Sequence, residues 1–143
     1  MNIGRCKSVD RSVAEKYRRV ALSFLEGARI LAELADENDP TGNAIAVITV
    51  HAAIAWSDAL TIAYAGMKST DGDHNRAADL LHNALGARID AQALRSLRMV
   101  LHKKDTVAYR GDYYRVPDAL ALLERAEEFC AWANDAYENR PRN

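Results

Sequence analysis

The chain has 143 residues, of which 49% are apolar, so it is one domain long and can bury a core without cross-links or metals. Only 7% of residues are aromatic, with 7 glycines and 3 prolines, a balance that excludes a many-turned β-fold. Lys plus Arg number 19 against 20 Asp plus Glu, so no whole-molecule positive field holds a nucleic acid by bulk attraction.

The elements follow in chain order. Ser12 and Glu15 have the spacing of a capping box ahead of an apolar stripe at Val13, Tyr17, Val20, Phe24, Ala28, Leu31 and Leu34, which predicts a first helix over 12–36. DENDPTG at 36–42 reads as a turn. A second helix over 43–65 ends at Gly66; it is alanine-rich and apolar on nearly all sides, as expected of a central helix. Its charge-free stretch, 43–57, is shorter than the roughly 20 residues a bilayer span needs, so a core helix is expected and no membrane contact. KSTDGD at 68–73 reads as a polar turn, with Asp71 or Asp73 placed to cap a third helix carrying Ala77, Leu81 and Leu85 and stopping at Gly86. Asp90 is placed to cap a fourth, with Leu94, Leu97 and Leu101 on its stripe. Pro117 opens a fifth, with Leu120, Leu123, Ala126, Cys130, Ala133 and Tyr137 on one face. The expectation is all-α: an antiparallel up-down bundle of four to five helices in a single domain, 1–143, with its core over about 10–139.

Charge is uneven along the chain: residues 1–29 carry +4, 30–87 carry −6, 88–115 carry +4 and 116–143 carry −3. The two positive segments would form a basic surface if they met, or two solvated helix faces if they did not. Cys6 and Cys130 form no CxxC pair, and HExxH, HxxxH and clustered carboxylates are absent, so neither zinc nor redox chemistry and no cofactor is expected. The opening MNIGRCKSVDRS has no apolar stretch, and a reduced, cytoplasmic protein is the expectation. GxSxG and phosphate-cradling glycine loops are missing, which disfavours acyl transfer and P-loop chemistry.

Polar groups set in apolar surroundings are the candidates for function, because burying an unpaired one is costly. His51 and Asp58 lie two turns apart on one face of the second helix, about 10 Å along its axis, so each needs a partner elsewhere. Asp58 would suit Lys104, Arg98 or Tyr109, and the plain alternative is a buried network that fixes packing. His74 follows Asp73 at the start of the third helix, a place that favours anions; the plain alternative is packing over the turn. From Arg95 to Arg115, basic and tyrosine side chains interleave, among them Arg98, His102, Lys103, Lys104, Tyr109, Arg110, Tyr113 and Tyr114. Cations on phosphates with tyrosines on unpaired bases is the mixture single-stranded RNA binding uses, and a solvated helix end is the duller reading.

The layout resembles a HEPN domain, the small helical family of toxin–antitoxin and RNA-processing systems. The similarity rests on the first helix, HAAIAWSDAL at 51–60, GDHNRAADLL at 72–81 and LHKKDTVAY at 101–109. It implies binding roles for His51, Asp58, Asp73, His74, Lys104 and Tyr109, a homodimer, and RNA, a nucleotide or a nucleotidyltransferase-type protein as partner. Members that cut RNA do so without metal, through an arginine and a histidine separated by four to six intervening residues. Arg95 with His102 and Arg76 with His82 both have that spacing, and Arg95 and His102 sit beside the basic, tyrosine-rich segment. The resemblance therefore leaves three functions open: a binding module, a metal-independent endoribonuclease using Arg95 and His102, and a purely structural partner subunit.

Overall fold

The computed structural model of the protein describes residues 2–108 and 110–142. Six α-helices run through them: α1 Ala14–Leu34, α2 Gly42–Ala65, α3 Asn75–Leu85, α4 Ala91–His102, α5 Lys104–Ala108 and α6 Val116–Glu138. Helix α2 is the hub, packed by α1, α6, α3, α4 and α5. By length and composition it could cross a membrane, but 78% of its apolar window is buried inside the protein, which is what a central helix needs. Trp56 and Phe129 are the largest fully buried side chains, and Trp56 meets the Tyr137 ring edge-on at 6.2 Å.

Several boundaries follow their sequence signals. Asp90 Oδ2 accepts the Ala93 amide at 2.8 Å and starts α4. Gly66, at φ 64°, ends α2 in the left-handed conformation that a side chain would disfavour. Pro117 lies in the first turn of α6, where its missing N–H is harmless.

Other expectations are corrected. The Ser12–Glu15 capping box does not form: Asp10 Oδ1 accepts the Ser12 amide and a 3-10 turn, Arg11–Val13, precedes α1. Glu15 is drawn away by stronger donors, accepting from Arg18 at 2.8 and 2.9 Å and from the Tyr137 hydroxyl at 2.9 Å. The buried face of α1 is Ala14, Ala21, Leu25 and Ala28, rotated from the expected stripe, and Val20, Phe24 and Leu34 are exposed. On α6, Ala119 and Leu122 are buried where Leu120 was expected. The protein also has a short antiparallel strand pair, β1 Cys6–Ser8 with β2 Met67–Ser69, Lys7 opposite Lys68. Its second strand overlaps the start of the 68–73 stretch that reads as a turn.

The segment after α5 is tied to the start of α2. Asn43 Nδ2 donates to the carbonyls of Val107 (3.0 Å) and Asp112 (2.9 Å), and its Oδ1 accepts the Tyr114 amide at 2.8 Å. Beside it, the Gly42 backbone approaches so closely that an added Cβ would fall 1.9 Å from the Tyr114 carbonyl oxygen. Tyr113 donates its hydroxyl to the Asp39 carbonyl at 2.9 Å, strapping the same segment to the α1–α2 turn.

Candidate anion-binding cleft

The turn before α3 is shaped by its own carboxylates. Asp71 accepts the amides of Asp73 and Arg5, and Asp73 Oδ1 accepts the Asn75 amide at 3.1 Å. This fixes His74 at the N-cap of α3, facing the corner where α4 gives way to α5. There Lys104, only 8% exposed, hydrogen-bonds through Nζ to His74 Nε2. An ammonium has no acceptor, so the imidazole must accept through Nε2 and be neutral, its proton on Nδ1.

The electrostatics agree with that assignment. Burial lowers the pKa of His74, and the Lys104 charge lowers it further against the opposing pull of Asp105 and Asp73. Burial likewise lowers Lys104, with Asp105 opposing. His51, on α2, is depressed by burial and by the same ammonium, and its ring lies against Phe24 at 6.0 Å between centroids. Three groups able to carry positive charge are thus gathered from three helices, with His51 and His74 held neutral by the crowding.

A cleft of about 270 Å³ opens over this corner, lined by Gly72 to Asn75 on one side, by residues 101–106 on the other, and by Arg110. Lys103, Lys104 and Arg110 are its permanent cations and Asp73 and Asp105 its carboxylates. Protonation of His74 would add to the positive side. A larger hollow of about 650 Å³ lies between the 3-10 turn before α1 and the end of α6. Its Arg140 is stacked at 4.1 Å on the Tyr137 ring, and none of its lining residues belongs to the set expected from sequence. The smaller cleft is therefore the better candidate.

His51, Asp73, His74, His102 and Lys104 are brought to this region. Asp58 is not paired as expected: its partner is Lys68, Nζ to Oδ2 3.8 Å, and Lys68 also lies over the Tyr17 ring at 5.7 Å. Burial pushes the Asp58 carboxyl up to about 6, with Lys68 opposing. Arg98 on α4 binds Asp79 on α3 at 2.9 Å and braces the two helices, while Arg76 pairs with the same carboxylate from within α3 at 3.4 Å; both guanidinium groups lie outside the cleft lining. Tyr109 lies outside the described residues. Arg95 and His102 are both exposed, two turns apart on one face of α4, with His102 alone on the cleft rim. Arg76 and His82, six residues apart, project from different sides of α3. Among the described residues no three His, Cys, Asp or Glu side chains converge as metal ligands would.

Sequence reasoning missed Lys68 and the Gly42–Asn43 anchor. Lys68 sits in a polar run that gives no strand signal, and nothing local marks Asn43 as a clamp for residues 64 to 71 positions away. Comparison of the chain with family models, curated proteins and solved structures finds no match.

Proposed function

We propose that the protein is a HEPN-like helical module, an antiparallel bundle that binds the phosphate of an RNA or nucleotide in the cleft between the start of α3 and the α4–α5 corner. The observation that carries this reading is the Lys104–His74 hydrogen bond, with His51 within reach of the same charge. Gathering such groups in partial burial opposes folding, and an incoming phosphate offsets that cost by accepting from them. The exposed cations Lys103 and Arg110 at the rim supply longer-range attraction, and Asn75 and Thr106 add neutral donors.

The test is a fluorescence-anisotropy titration of a labelled single-stranded RNA at two salt concentrations. Binding that weakens with salt, and weakens about tenfold or more in Lys104→Met and His74→Ala, supports the reading. Absence of salt-dependent binding by the wild type contradicts it and leaves a structural partner subunit as the better account.

A second reading is a metal-independent endoribonuclease. It is favoured by the shared exposed face of Arg95 and His102 on α4, with His102 at the cleft rim. In that scheme His102 takes the 2′-hydroxyl proton, the 2′-oxygen bonds to the adjacent phosphorus as its P–O5′ bond breaks, water protonates the leaving 5′-oxygen, and Arg95 steadies the phosphate charge throughout. Product formation in EDTA that disappears in His102→Ala separates it from binding alone.

A further inference from the structure

Helix α1 carries a second apolar face that the fold leaves uncovered: Val20 is 44% exposed, Ile30 49% and Leu34 76%. Within α1 these positions, with Ser23 and Gly27, recur at alternating steps of three and four, the seam of a two-helix contact. Gly27 lies at its middle. A Cβ built there would meet only Ile48 Cγ2, at 4.0 Å, so packing within the protomer does not call for glycine at a mid-helix position where it costs about 1 kcal/mol against alanine. Approach of another backbone from outside does call for it.

The flank of this seam identifies the occupant. Arg19, which reaches Glu15 at 3.4 Å within α1 yet keeps its side chain 77% exposed, and the exposed Glu33 lie on the same side of the seam, one near each end of α1. In an antiparallel pair, like flanks face each other, so a copy of α1 turned about a two-fold axis between Ser23 and Gly27 sets Arg19 against the partner's Glu33, twice per dimer. The same axis sets Val20 against the partner's Ile30 and Gly27 against the partner's Ser23. Glu26, close to the axis, has Arg29 at 3.9 Å as its own counter-charge.

We infer that the exposed face of α1 is the self-association surface of this protein, pairing antiparallel with α1 of a second copy. The inference is independent of the phosphate reading. Phe24, 37% exposed on the edge of the seam and packed on His51, links the contact to the cleft region. The seam between Val20 and Leu34 is only about 21 Å long, so the dimer is of the small, weak kind.

Sedimentation equilibrium between about 1 and 300 µM, at low salt, tests it. The wild type is expected to show a monomer–dimer equilibrium. Leu34→Lys and Gly27→Leu should raise the dissociation constant about tenfold or more, with helicity retained. Arg19→Glu should raise it by roughly three- to tenfold, and the double variant Arg19→Glu with Glu33→Arg should restore it. A wild type monomeric throughout overturns the inference, as does a dimer indifferent to Leu34→Lys. Failure of the double variant to recover overturns the antiparallel register.

Discussion

Lys104 Nζ meets His74 Nε2 across 30 residues of sequence, closing the corner between α5 and the first turn of α3. The ammonium holds both His74 and His51 below the ordinary histidine range, in addition to the effect of burial. In an NMR titration of the ring protons, these two histidines should protonate below about 6.5, and Lys104→Met should move both back upward. Because their folded values are depressed, the unfolded chain binds more protons just below that pH. Their contribution to stability is therefore complete above the ordinary value and lost as pH falls through the depressed ones. Histidines that titrate identically in wild type and variant would contradict the placement of the ammonium.

Asp58 behaves in the opposite sense. Its carboxyl is raised from 3.8 to about 6 by burial, so the native protein holds a proton that the unfolded chain has released. Stability is therefore lost as pH rises between those values, by about 3 kcal/mol in total. Asp58→Asn removes this dependence and should gain on wild type by about 2 kcal/mol between pH 4.5 and 7.5, measured by urea denaturation at each pH. A constant difference across that range would show that burial does not govern this carboxyl.

The Gly42–Asn43 anchor predicts large effects from small changes. Gly42→Ala places a methyl on the Tyr114 carbonyl, so backbone must shift, and a loss of about 3 kcal/mol or more is expected in thermal or urea unfolding. Asn43→Ala deletes three hydrogen bonds to the 107–114 segment and should cost roughly 2–3 kcal/mol. Amide exchange should quicken at Tyr114, whose N–H then lacks its acceptor.

Arg95 and His102 give a clean separation of the two functional readings. Both are exposed, so Arg95→Ala and His102→Ala should leave melting temperature within about 2 °C of wild type. Under the binding reading these changes alter RNA affinity less than Lys104→Met does. Under the nuclease reading either abolishes cleavage in EDTA.

Much of the helical layout is legible in the sequence because it rests on local signals: Asp90 as a cap, Gly66 as a left-handed stop, Pro117 in a first turn. His51, His74 and Lys104 stand out as polar residues in apolar or cationic company, yet their meeting depends on the packing of three helices and is not written locally. The partner of Asp58 is not legible locally because Lys68 is brought to it by a strand pair between residues about sixty positions apart, each strand too short to show alternation. On α1 the difference between apolar stripe and buried face has another cause. Its apolar arc is wider than the core it covers, and periodicity marks the arc without saying which half is buried.

Phosphate binding at the His74–Lys104 corner is the property on which the proposed function depends. Following the histidine ring resonances while adding adenosine monophosphate near pH 6.5 tests this with the smallest ligand that carries the chemistry. The prediction is a saturable shift of His74, with a rise in its pKa and weaker binding as salt is added. A His74 resonance that does not move at millimolar ligand, in protein whose other resonances confirm the fold, would contradict it.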